Sequence, residues 1–158
     1  MRDSQKNQVY IWEHSRFKTV SKIPLTLEQC QTLVNDVCRC YGIHSPTVKF
    51  KEGYQGKVPA HYTSFSCEIV LPEFARFRHF LWHELAHHVN HVKNLGKEKE
   101  GHGPEYFSIY AYLLNQYGCY PLHEIFFKAQ RLGINHDKNF PQFLPGMVPN
   151  PELVRPYS

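Results

Sequence analysis

The amino-acid sequence predicts an α+β domain in which short strands precede a run of helices. Residues 62–71 alternate apolar and polar side chains, as a half-buried strand does. Residues 75–94 and 104–118 instead carry apolar side chains at helical spacing. Because strands and helices do not alternate along the chain, an α+β class is favoured over a parallel sheet with crossover helices. With 158 residues and no internal repeat, the chain is expected to form one domain over residues 1–158.

The N-terminal part of the chain is expected to supply two short strands and one helix. Residues 9–12 are predicted to form the first strand. Thr26 is a favourable N-cap for a helix over residues 27–40, and Gly42 ends it. Alternating side chains predict a further strand over residues 46–51.

The strand predicted over residues 62–71 has the clearest alternation. Pro72 ends it, because proline cannot donate a hydrogen bond to a sheet. One face of the strand carries the side chains expected in the core, namely Phe65, Cys67, Ile69 and Leu71.

Three helices and a tail are predicted for the remainder. The first helix spans residues 75–94, and its core-facing side chains are Phe77, Leu81, Leu85 and Val89. The second begins at Pro104, since proline is favoured at the first helical position, and ends at Gly118. The third spans residues 121–132. Residues 134–158 form a Pro-rich C-terminal tail that is expected to be extended and to run over the surface.

Composition narrows the classes of protein to consider. The formal net charge of +4 permits contact with nucleic acid but does not demand it. The first residues carry no apolar signal region, and no stretch approaches the roughly 18 apolar residues of a membrane span. The five cysteines lack C-x-x-C spacing, which argues against a disulfide framework or a four-cysteine zinc site. A cytoplasmic protein without a membrane partner is expected, and its oligomeric state stays open.

An HExxH motif lies inside the helix predicted over residues 75–94, at His83, Glu84 and His87. Side chains four positions apart lie one turn apart on nearly the same face, so both imidazoles can bind one metal ion. Glu84 is rotated by about 100° from His83, where its carboxylate can act as a general base on a water molecule. The alternative is a histidine-rich, solvated helix face.

The histidine face of this helix is predicted to lie about 200° from the core-facing side chains. The helix is therefore expected to pack on one side and to line a cleft with the other. The further histidines His79, His88 and His91 are expected at the surface or at the rim of that cleft.

A third metal ligand must come from elsewhere, because catalytic zinc usually has three protein ligands. His102 is the best candidate, since Gly101 and Gly103 let the backbone bend closely before the helix at Pro104. Three other residues remain alternatives, namely His91, Glu105 and His123.

These segments together resemble the SprT-like zinc metallopeptidases, the family that includes the Spartan proteases. The similarity rests on the HExxH motif and on the segment Gly101-His-Gly-Pro-Glu-Tyr-Phe107, and it covers residues 69–114. It implies one zinc ion held by His83, His87 and His102, with Glu84 as the general base. It also implies a zincin-like fold, with a small antiparallel or mixed sheet packed on an active-site helix. A protein or peptide substrate would run along an edge strand, expected near residues 64–70.

Spartan-type proteases degrade proteins bound or crosslinked to DNA, and this role is not simply transferable. Many SprT-like proteins carry a cysteine-rich zinc ribbon after the catalytic part, whereas only Cys119 follows His102 here. Nucleic acid is therefore a weakly supported partner, and Tyr106, where many relatives have Phe, is expected only to pack.

The sequence thus predicts a zinc-dependent metallopeptidase. One alternative is a zinc hydrolase of a non-peptide substrate. Another is a non-catalytic, zinc-containing binding or regulatory protein, against which Glu84 argues, because a structural zinc site needs no carboxylate beside its first ligand. A Tyr or His from residues 57–62 is expected to stabilise the oxyanion.

Overall fold

The computed structural model describes residues 3–17, 23–52, 59–94, 101–118 and 120–137. Within these ranges the chain forms five α-helices, three β-strands and a short 3₁₀-helix, Glu73–Ala75. In chain order the main elements are α1 (Lys6–Phe17), α2 (Leu27–Tyr41), β1 (Thr47–Phe50), β2 (His61–Thr63), β3 (Glu68–Leu71), α3 (Arg78–Lys93), α4 (Pro104–Gly118) and α5 (Leu122–Arg131). The α+β class is confirmed, although two helices precede the first strand.

The three strands form one small mixed sheet in the order β1-β3-β2. β1 runs parallel to β3, with Val48 opposite Ile69, and β2 runs antiparallel to β3, with Tyr62 opposite Ile69. The prediction of an edge strand near residues 64–70 is wrong, because β3 is paired on both sides. The edges of the described sheet are β1 and β2.

A turn at residues 64–67 divides the stretch predicted as one strand over residues 62–71. The Cys67 N–H donates to the Ser64 carbonyl oxygen at 3.3 Å, and Cys67 has a left-handed φ of 53°. Phe65 lies on this turn with 98% of its surface exposed, rather than on the core face. Apolar and polar side chains alternate through the turn as they do through the strands, so the pattern alone did not reveal the break.

Residues 9–12 belong to helix α1 and not to the predicted strand. The buried face of α1 carries Val9, Glu13 and Phe17 at intervals of four residues, with Trp12 beside them. A carboxylate at the centre of this face interrupts the apolar periodicity, which explains why the sequence did not predict a helix here.

The predicted caps of α2 are confirmed. The Thr26 hydroxyl accepts from the Gln29 N–H at 3.1 Å, and the Gln29 side-chain oxygen accepts from the Thr26 N–H at 2.9 Å. This reciprocal pair is a capping box. Gly42 ends the helix with a φ of 68°, a left-handed conformation that glycine adopts without a steric penalty.

Helix α3 lies between α4 and the sheet and carries much of the core. It begins at Arg78, later than predicted, because the extended Phe77 separates it from the 3₁₀-helix. Leu81, Leu85 and Val89 are buried as predicted, whereas Phe77 is only half-buried.

The opposite side of α3 is also covered at His79, and both His79 and His88 are buried and not at the surface as predicted. The Phe17 ring of α1 stacks on the His79 ring with their centroids 4.3 Å apart. His88 makes two hydrogen bonds: its Nε2 donates to the His44 carbonyl oxygen at 2.8 Å, and its Nδ1 accepts from the Tyr62 hydroxyl at 3.0 Å. These neighbours are distant in sequence from the two histidines.

The first residues of the predicted tail pack on the body of the protein. Ile134 is buried, the Asn135 N–H donates to Gln5 Oε1 at 2.9 Å, and the Asp137 N–H donates to Ser108 Oγ at 2.6 Å. The Pro-rich remainder of residues 134–158, from position 138 onward, lies outside the described residues. Among the described helices, none is long and apolar enough to cross a membrane.

Replacing the N-cap of α2 gives a local test of this fold. Thr26→Ala is expected to lower the free energy of unfolding by about 1 kcal/mol, because the helix loses an acceptor for its first turn. The matched control is Thr32→Ala, since Thr32 is exposed in the middle of the same helix and should change stability little. Urea denaturation compares the two variants, and equal losses would contradict the assigned cap.

Candidate metal centre

The three histidines singled out by the sequence converge in the structure. His83 and His87 come from α3, and His102 comes from the turn that precedes α4. Their ligand nitrogens all lie within 4.8 Å of one another, and the Nε2 atoms of His83 and His102 are 3.2 Å apart. This group could hold a metal ion. The alternative third ligands, namely His91, Glu105 and His123, do not belong to it in the described part of the chain.

Asp3 fixes the position of His102 from the start of the chain. One carboxylate oxygen of Asp3 accepts from the His102 backbone N–H at 3.1 Å, and the other accepts from His102 Nδ1 at 2.7 Å. Gly101 permits this approach, because a Cβ at that position would lie 3.1 Å from Asp3 Oδ2. Gln5 adds a hydrogen bond from its Nε2 to the His102 carbonyl oxygen at 3.0 Å.

Glu13 orients His83 as Asp3 orients His102, by accepting a hydrogen bond from the Nδ1 atom of the ring. The buried Glu13 carboxylate accepts from His83 Nδ1 at 3.0 Å and from the Tyr110 hydroxyl at 2.8 Å. With a proton held on Nδ1, the Nε2 lone pair of each histidine is directed toward the centre of the group. Neither carboxylate could be predicted from the sequence, since each lies at least 70 residues from its histidine.

Tyr106 packs against His87, the remaining histidine of the group. Its ring stacks on the His87 ring with centroids 4.2 Å apart, and its hydroxyl donates to the His83 carbonyl oxygen at 3.2 Å. Tyr106 therefore contributes a hydrogen bond in addition to the packing that the sequence predicted. A phenylalanine at this position would leave the His83 carbonyl without this donor.

The pKa values of the three histidines differ because their charged neighbours differ. Burial lowers the pKa of His87 well below its ordinary value, and the charges of His83 and His102 lower it further. Burial and the charge of His83 also lower the pKa of His102, against the opposing effect of the hydrogen bond that His102 donates to Asp3. For His83, the charge and hydrogen bond of Glu13 and the charge of Glu84 outweigh burial and raise the pKa to about 9. A metal ion would therefore compete with a proton mainly at His83.

Glu84 is buried beside the histidines but faces space rather than a partner helix. Its Oε1 lies 3.9 Å from His83 Nε2, and it lines two cavities. Burial raises the pKa of Glu84 and the charge of Glu13 raises it too, whereas the charge of His83 and a hydrogen bond from the Tyr62 backbone lower it. A carboxylate with a raised pKa and access to a cavity is suited to carry a proton.

Tyr10 is a site residue that the sequence did not reveal, because the predicted strand placed it in the wrong element. Its ring lies parallel to the His83 ring, with centroids 5.7 Å apart and an angle of 5° between the planes. Burial and then the charges of Glu84, Glu13 and Asp3 raise the pKa of Tyr10 to about 12. The hydroxyl therefore stays protonated at neutral pH and can donate a hydrogen bond.

Two cavities meet at this site. One has a volume of about 490 Å³ and the other about 210 Å³, and both are lined by Tyr10, Ala60, His83 and Glu84. His61 and Tyr62, from the segment expected to supply an oxyanion-stabilising group, line the smaller cavity. Positions 57 and 58 of that segment lie outside the described residues.

A second group of potential ligands, formed by His44, Cys67 and His88, also lies within 4.8 Å. Both ring nitrogens of His88 are already hydrogen-bonded, so this group differs from the first, in which Nε2 atoms face one another.

No protein-family model, curated protein or solved structure matches this chain.

Removing the outer carboxylates tests how the site is built. Asp3→Asn and Glu13→Gln are each expected to weaken binding of a divalent metal ion by about 10- to 100-fold, because the histidines lose the acceptors that orient them. The control is Glu124→Gln on α5, where the carboxylate faces Arg16 and Lys128. Competition with a chromophoric chelator measures the affinities, and unchanged values for Asp3→Asn and Glu13→Gln would contradict the assignment.

Proposed function

We propose that this chain is a zinc-dependent metallopeptidase of the SprT-like type, with one zinc ion held by His83, His87 and His102. The observation that carries the proposal is the distance of 3.2 Å between the Nε2 atoms of His83 and His102. Two ligands of a tetrahedral zinc ion, each about 2.0–2.1 Å from the metal, are about 3.3–3.4 Å apart. The donor set also fits zinc, since neutral imidazoles backed by carboxylates are common zinc ligands.

We propose that the three histidines form a catalytic rather than a structural zinc site. Structural zinc sites are closed by four protein ligands, whereas catalytic sites keep one position open. Three histidines form the group among the described residues, and two cavities reach His83 and Glu84. When bound, zinc would act as a Lewis acid that lowers the pKa of water to about 7 and polarises the substrate carbonyl.

Residues of the chain itself transfer the proton, stabilise the oxyanion and orient the histidines. Glu84 takes a proton from the attacking water as the C–O bond forms, and delivers it to the leaving nitrogen when the C–N bond then breaks. Tyr10, which lines both cavities and stacks on His83, would donate a hydrogen bond to the carbonyl oxygen as negative charge develops there. Asp3 and Glu13 hold their histidines in one tautomer and orientation.

A peptide substrate fits the open edge of the sheet. β2 is an edge strand in the described sheet, and its residues His61 and Tyr62 line the smaller cavity beside Glu84. An extended peptide can pair with such an edge through main-chain hydrogen bonds. The resemblance to Spartan-type proteases extends the proposal to DNA-associated proteins as substrates, and a substrate screen should therefore be run with and without DNA.

The Glu84→Gln variant tests the proposal. It is expected to retain one zinc ion per chain while proteolysis falls by about 10²–10⁴-fold, because the general base is lost and the ligands are not. Unfolded protein and peptide mixtures serve as substrates, and zinc is measured on the same samples. Glu105→Gln in the first turn of α4 is the matched control and should retain both properties.

Two results would contradict the proposal. Proteolysis by Glu84→Gln at the wild-type rate would show that Glu84 is not the general base. A wild-type protein that binds no zinc after reconstitution would overturn the metal site itself. Hydrolysis of non-peptide esters alone, with zinc bound, would favour the alternative hydrolase.

A further inference from the structure

The larger of the two cavities differs in chemistry from the smaller one. Its volume of about 490 Å³ lies in the range of small-molecule pockets, and aromatic rings form much of its wall, namely Phe17, Phe74, Phe80 and Tyr10. The smaller cavity is instead lined by polar side chains that include His61, Ser64 and His87. Both reach Glu84, so the two sides of the reacting bond would meet different surroundings.

We infer that the larger cavity binds a large apolar side chain, preferably aromatic, of the substrate residue beside the scissile bond. This inference rests on the proposed function, because the cavity is a substrate pocket only if Glu84, which lines it, acts on the substrate. When a peptide lies across Glu84, the side chain on one side of the scissile bond enters the larger cavity. The side chain on the other side lies in the polar cavity.

Two polar side chains that line the larger cavity, Glu13 and His79, are held by protein neighbours, whereas His14 and Glu84 also line it, so the wall is aromatic but not wholly apolar. Glu13 accepts hydrogen bonds from His83 and Tyr110. The His79 ring is held between aromatic rings, with centroids 4.3 Å from Phe17 and 4.4 Å from Phe80. A substrate ring can pack edge-on or offset against such a wall.

Phe74 gives the cavity an accessible wall that can be changed without disturbing the core. It lies on the 3₁₀-helix, is 49% exposed, and packs edge-on against Phe80 with centroids 6.1 Å apart. Phe65 is a matched control, since it is also an exposed phenylalanine but lines neither cavity.

The experiment uses zinc-loaded, full-length protein and peptides of Gly and Ser that differ at one position, which is Phe, Leu, Ala or Lys. Mass spectrometry locates the cut, and kcat/KM is measured for each peptide. Cleavage next to Phe is expected to exceed cleavage next to Ala by about tenfold or more. Phe74→Ala should reduce this ratio, whereas Phe65→Ala should leave it unchanged.

A binding measurement separates this inference from the proposed function. Calorimetry with Glu84→Gln protein compares the Phe and Ala peptides, with and without Phe74→Ala. Tighter, Phe74-dependent binding of the Phe peptide without any cleavage by the wild type would support the pocket and contradict the peptidase. Cleavage with equal rates for Phe and Ala, or with a preference for Lys, would overturn the pocket and leave the peptidase standing. Neither cleavage nor preferential binding would overturn both.

Discussion

The buried carboxylate of Glu13 is the contact on which the site depends. It accepts one hydrogen bond from His83 on α3 and another from Tyr110 on α4, so it joins three helices at one point. A buried carboxylate without such donors would be strongly destabilising. The two donors therefore stabilise Glu13, and Glu13 in turn orients a histidine of the candidate metal centre. Asp3 extends the same arrangement to His102 at the other end of this N-terminal segment.

The arrangement also explains why the histidines are placed so closely. Two buried imidazoles and one half-buried imidazole meet at this point, and a metal cation that replaced the proton on His83 would be bound by all three. Because the folded chain assembles this site, metal binding would stabilise the folded form relative to the unfolded form. The same reasoning separates this group from His88, whose ring nitrogens are satisfied by Tyr62 and His44.

Local patterns in the sequence predicted those features of the fold that depend on residues close together in the chain. The spacing of His83 and His87, the N-cap at Thr26 and the helix that opens at Pro104 all follow from rules that act within a few positions. His102 could be proposed because the glycines on both sides and the following helix marked it. These features account for α2, α3 and α4 and for the choice of the three histidines.

The remainder depends on contacts between distant segments. Helix α1 was missed because its buried face contains Glu13, and that carboxylate is explained only by His83 and Tyr110, which are 70 and 97 residues away. The placement of Tyr10 follows from the same helix. The turn that contains Phe65 was missed because side chains alternate through it, and alternation carries no information on where a strand is broken.

The most direct test of the account is a crystal structure of the zinc-reconstituted protein with anomalous diffraction at the zinc absorption edge. The account predicts one anomalous peak about 2.0–2.1 Å from a ring nitrogen of each of His83, His87 and His102. A peak at His44, Cys67 and His88 instead, or no peak at the three histidines, would contradict it.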